Sequence, residues 1–135
     1  MPAFGFGDFN PYQAKLLLQF GFLGAITANG TSYLAPGNGS TQTNEIKVRV
    51  PRANVLKDLH VQQRVASGAG GLTGIYTVRV NGADKAITCT LDNATTGEDT
   101  THAVAVAQGG AVSIKLVSND AADASEDVSA TVVLT

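Results

Sequence analysis

Tryptophan is absent, and cysteine occurs once, at Cys89. A single thiol excludes a disulfide within the chain and gives no sign of an oxidising compartment. Charge is sparse: Asp, Glu, Lys and Arg make up 15% of the residues, and the formal net charge is -2. Bulk charge this small recruits neither nucleic acid nor a membrane surface, so neither partner is expected. Long apolar runs are missing as well. The longest, around Leu16 to Ile26, is broken by Gln19 and is too short to span a bilayer. The opening Met1-Pro2-Ala3-Phe4 has no basic stretch followed by an apolar run, so no secretory address is read there and a cytosolic product is expected.

What the chain has instead is period-two alternation. Gly74 to Val80, Ala86 to Leu91, Ala103 to Ala107, Ala111 to Ser118 and Val128 to Thr135 each alternate polar and apolar residues. Asn81-Gly82 stands between the first two, and both residues tolerate the positive φ of a tight hairpin. Glu45 to Val50 places Ile46, Val48 and Val50 inward, and Pro51 ends that ladder because it has no N–H to donate. Val55 to Ala66 is the next strand, with Leu59, Val61 and Val65 inward. Thr31 to Leu34 makes a short strand within a loop from Asn29 to Asn44. Ser67 to Gly71, Asp92 to Thr101 and Asn119 to Asp127 read as turns or polar loops, and Gln108-Gly109-Gly110 as a tight turn. The expected fold class is all-β, a jelly-roll β-sandwich of about eight strands. At 135 residues it is one body with a sizeable core.

The first 22 residues differ from the rest. They hold all five phenylalanines, Phe4, Phe6, Phe9, Phe20 and Phe22, together with Tyr12. Aromatics carry the largest buried areas, so crowding them at one end points to anchors for a partner. Residues 1–22 are therefore expected to form an N-terminal arm and residues 23–135 the sandwich. Asn10-Pro11 is a plausible helix start, with Asn as N-cap and Pro at the first helical position, so the arm reads as extended with a short helix near its end. A strand with Leu16, Leu18, Phe20 and Phe22 on one face is the rival.

An ordered set of segments resembles a known module. Val50-Pro51-Arg52-Ala53, Leu59-His60-Val61, Tyr76 to Gly82 and Ala86 to Leu91 come first, followed by Asp99 to His102 and Val104 to Gly110. Together they are similar to the TNF-like or C1q-like jelly roll that recurs in tailed-bacteriophage virion proteins, over roughly Gly24 to Thr135. The resemblance implies a homotrimer. It also implies a structural role, foremost as a capsid decoration or cement protein bound to the major capsid protein on the head surface. The alternative it implies is a receptor- or glycan-binding domain of a tail or head fibre, reading its target through the loops 29–44, 92–101 and 119–127. It carries no catalytic residues and no cofactor.

The chemistry-bearing side chains fit that expectation. Cys89 alternates with Ile87 and Leu91 and should face the core, where a thiol is inert. His60 and His102 are the two imidazoles, and neither has a metal-binding set beside it in sequence. Glu98 to Thr101 reads as a polar stretch with side-chain-to-backbone bonds. Asp120, Asp123, Glu126 and Asp127 lack the spacing and glycine of a calcium loop. A non-enzymatic protein is expected, with Phe4, Phe6, Phe9, Tyr12, Phe20 and Phe22 as its partner-binding residues.

Overall fold

The computed structural model describes residues 15–25, 29–37, 39, 43–66, 73–119 and 126–135. Ten strands are found among them: β1 (Leu16–Ala25), β2 (Gly30–Tyr33), β3 (Ala35–Pro36), β4 (Val48–Arg49), β5 (Asn54–Val65), β6 (Thr73–Val80), β7 (Ala83–Asp92), β8 (Thr96–Val106), β9 (Ala111–Ser118) and β10 (Glu126–Leu134). The described residues contain no helix. The first sheet has the order β3-β1-β10-β5-β8, and the second β2-β9-β6-β7 with β4 also paired to β9. Strand neighbours run antiparallel throughout both sheets. The all-β sandwich expected from alternation is the observed fold, and its course is jelly-roll-like.

Each sheet buries one face against the other. From the first come Phe20, Phe22, Leu56, Leu59, Val61, Val128, Ala130, Val132 and Leu134, and from the second Tyr76, Val78, Ile87, Cys89, Leu91, Val112, Ile114 and Leu116. The fully buried Tyr76 donates its hydroxyl to Gln63 Oε1 at 2.9 Å, and Gln63 Nε2 donates to the Ala94 carbonyl at 3.0 Å. A buried hydroxyl and amide are tolerable only when paired in this way. The Asn81-Gly82 hairpin forms as expected, with φ of 52° and 79°.

Three expectations are corrected. Residues 16–22 form a strand, not the end of a helix: β1 pairs with β10 from Leu16↔Leu134 to Phe22↔Val128. Alternating Leu and Phe find a ready ladder there, and tertiary pairing overrides a weak local helix signal. For the same reason the sandwich takes in β1 from Leu16 onward, so a boundary between residues 22 and 23 cuts through a strand. Third, the expected loop 92–101 ends early, because Thr96 to Thr101 already belong to β8.

One irregularity shapes the faces. Between Lys57 and Leu59 the pairing of β5 with β8 shifts, and Asp58 takes a φ of 54°. The bulge changes which residues point inward. Leu56 and Leu59, three apart, are both fully buried, and Val55 is turned out to 37% exposure.

The outer face of the second sheet is locked by charge. Arg79 Nε lies 3.1 Å from Glu45 Oε1 and Arg79 Nη1 pairs with Asp84, while Lys115 pairs with Asp84 and Ser113 donates to Glu45. The Arg79 guanidinium also sits 5.8 Å from the centre of the Tyr33 ring. Burial alone would raise the Glu45 carboxyl, but hydrogen bonds from Ser113 and Arg79 outweigh it and hold it below its ordinary range.

Candidate functional site

The opposite surface, the outer face of the first sheet, is left open by the described residues. Its rows follow from the register of β1, β10, β5 and β8. Leu17, Val133, Lys57 and Ala103 form one row; Gln19, Thr131, His60 and Glu98 the next; Gly21, Ser129, Gln62 and Thr96 the third. Val55 and Ala105 pair at the end of the sheet before the first of these rows. The face thus changes from apolar to polar within one row. Leu17 is 58% exposed, and among the described residues four of the five exposed large hydrophobic ones belong to this sheet: Leu16, Leu17, Leu23 and Val55.

The polar rows form an open trough of about 610 Å³, lined by His60, Gln62, Thr96, Glu98, Ser129 and Thr131 with the backbone of Val61 and Gly97. His60 Nδ1 lies 3.2 Å from Glu98 Oε2. Gln19 Nε2 donates to Ser129 Oγ at 3.5 Å from the neighbouring strand. Below the trough the chain packs tightly. A methyl group on Gly97, which faces inward, would come within 2.3 Å of Leu91 Cδ2.

Beside the trough stands a buried carboxylate. Asp99 Oδ2 accepts from the Thr88 amide at 3.0 Å, and Oδ1 accepts from the amides of Thr101 at 3.1 Å and His102 at 3.2 Å. Thr101 Oγ1 donates to Oδ1 at 3.0 Å, and His102 Nδ1 lies 2.8 Å from Oδ2. Burial alone would raise this carboxyl; the hydrogen bonds of Thr88, His102 and Thr101 outweigh it and hold the group far below the usual carboxylate range. Asp99 ties β7, the outer strand of the second sheet, to β8, the outer strand of the first. It is a structural staple, as the side-chain-to-backbone reading of this stretch expected. Burial, with a smaller contribution from the Asp99 charge, pushes the Cys89 thiol up to about 12, and the inward position expected for Cys89 is observed.

Phe4, Phe6, Phe9 and Tyr12 lie outside the described residues. Phe20 and Phe22 do not serve a partner: both are fully buried in the sandwich, because the alternation of β1 turns them toward the second sheet. Asp120 and Asp123 also lie outside the described residues, while Asp127 is engaged by the Gly24 amide at 2.7 Å and by Arg64 Nε. Among the described residues no group of three or more His, Cys, Asp or Glu converges to hold a metal. The trough was missed by sequence reasoning because its six side chains come from three strands joined only by long-range pairing. The local signal was the outward alternation of His60, Gln62 and Arg64 along β5.

No protein-family model and no curated protein sequence matches this chain. Among solved structures it is similar to the native structure of a family 35 carbohydrate binding module from Clostridium thermocellum, at 12% identity over 90% of this chain and 92% of that one, with a TM-score of 0.42. A likeness this remote carries no residue of that module onto this chain.

Proposed function

We propose that this chain is a structural protein of a tailed-phage virion, a head decoration protein that binds the assembled shell as a homotrimer and clamps neighbouring major capsid subunits. The observation that carries the reading is the apolar end of the first sheet's outer face. Leu17, Val133, Val55, Ala103 and Ala105 lie together there, with Lys57 in register between Val133 and Ala103, on a surface that the described residues leave open. Apolar surface concentrated on one face favours a contact between molecules. The sequence resemblance to virion jelly rolls and the two-sheet fold support the same reading.

In this mechanism copies of the chain meet across the apolar rows, and residues 1–14, which precede β1 in the sequence, reach the shell. Phe4, Phe6, Phe9 and Tyr12 are the anchors. Each buried phenylalanine contributes about 1.5–3 kcal/mol, and three linked copies multiply the effect through effective concentration. The test is a chain lacking residues 1–12, offered to shells stripped of the protein. It should lose shell binding and keep the far-UV spectrum, unfolding midpoint and oligomeric state of the full chain. Undiminished binding by the shortened chain would overturn the arm mechanism.

A further inference from the structure

The polar trough adjoins the apolar end of the same face, and the proposed assembly assigns its side chains no role. Its six side chains form two rungs of three: Thr131, His60 and Glu98 on one, Ser129, Gln62 and Thr96 on the other. Adjacent strands stand about 4.8 Å apart and alternate residues about 6.7 Å apart, so the rungs make a lattice roughly 10 Å by 7 Å. That is the scale of a sugar ring and its substituents. Four of the six side chains, Gln62, Thr96, Ser129 and Thr131, are neutral, and each both donates and accepts hydrogen bonds, as a sugar hydroxyl does.

Other occupants fit less well. Neither Lys nor Arg lines the trough, and its imidazole already faces a carboxylate, so phosphate and nucleic-acid backbones lack a counter-charge. An extended peptide adds along a strand edge, whereas the trough lies on the face of the sheet across β10, β5 and β8, of which only β8 is an outer strand. His60 and Glu98 are two potential metal ligands where three or four are required.

We infer that the trough is a binding site for a neutral saccharide, held by hydroxyl hydrogen bonds to Gln62, Glu98 and the Ser and Thr side chains around them. The rungs carry no aromatic ring to stack on a sugar face, so a single site binds with a dissociation constant on the order of 1 mM. His60 and Glu98 orient one another, leaving the second carboxylate oxygen and the second ring nitrogen to meet adjacent hydroxyls.

The experiment is a titration of the full, isotope-labelled chain with N-acetylglucosamine, glucose and the β-1,4-linked trimer of N-acetylglucosamine, followed by backbone amide shifts. Amides at residues 60–62, 96–98 and 129–131 should move. Gln62→Ala should weaken binding at least fivefold, while Thr90→Ala, at an exposed position on the second sheet, should leave it unchanged. Tighter binding of the trimer would identify an extended glycan as the source, and equal binding a single sugar residue. Still amides in the trough at about 50 mM of every probe, movement confined to the second sheet, or unaltered binding by Gln62→Ala would overturn the proposal. The same spectra show whether each variant is folded. Shell binding is measured separately, so this site and the assembly reading fail independently.

Discussion

At the scale of the residue, Asp99 gathers hydrogen bonds from Thr88, Thr101 and His102 onto one buried carboxylate. Its carboxylate collects the amides that leave the β5–β8 ladder at Thr101 and His102, and one amide from the outer strand of the other sheet. Because its folded-state affinity for a proton is depressed, the unfolded chain takes up that proton first. The stability it contributes is therefore complete above about pH 4 and drains away as the pH falls below that value. Urea unfolding between pH 2.5 and 7 should show this decline, and Asp99→Asn should remove up to about 1.4 kcal/mol per pH unit of it. At neutral pH the same variant should cost about 1–3 kcal/mol, the price of exchanging an acceptor for an amide that cannot serve the same donors. An identical pH slope in the two proteins would mean that other carboxylates carry the acid sensitivity. The polar, backbone-bonding character of this stretch was legible in the sequence. Its burial was not, because that depends on Leu59 standing opposite Asp99 across a ladder some forty residues long in sequence separation.

At the scale of the element, β1 shows how far local pattern reaches. Asn10-Pro11 is a sound helix start, yet the residues that follow it into the described structure pair as a strand. Alternating Leu and Phe were equally visible as a strand face, and a partner strand more than a hundred residues later decided between the two. Phe20→Ala distinguishes a core role from a partner-binding role. It should lower the stability of the isolated chain by about 3–5 kcal/mol in chemical unfolding, as large-to-small changes in a packed core do. A loss below about 1 kcal/mol would return Phe20 to the surface. The hairpin at Asn81-Gly82 was legible because its whole cause is local. The bulge at Asp58 was not: its effect, turning Val55 outward while burying both Leu56 and Leu59, exists only once β8 is in place.

At the scale of the whole molecule, the two outer faces are unequal. The second sheet presents an ion-paired surface closed on itself through Glu45, Arg79, Asp84 and Lys115, whereas the first presents apolar rows and a polar trough. If copies associate as the proposed homotrimer, sedimentation of the native protein should show three chains of 13.8 kDa moving together. Leu17→Glu should return single chains that keep the far-UV spectrum of the native protein, since Leu17 is exposed within one copy. Single chains at every concentration of the native protein would remove self-association from the proposal. The two-sheet class was legible from alternation alone, but which face would stay open was not, since that follows from strand order. Strand order also sets a timetable. β10 lies between β1 and β5, so the first sheet has no finished form until Glu126–Leu134 has been synthesised. On a ribosome adding roughly 5–20 residues per second, β1 and its two phenylalanines wait on the order of 5–20 seconds for their partner strand. Throughout that interval the nascent chain carries the β10 edge of its stickiest strand open, with only the short β3 to pair on the other side, and the first sheet closes only once β10 has been made.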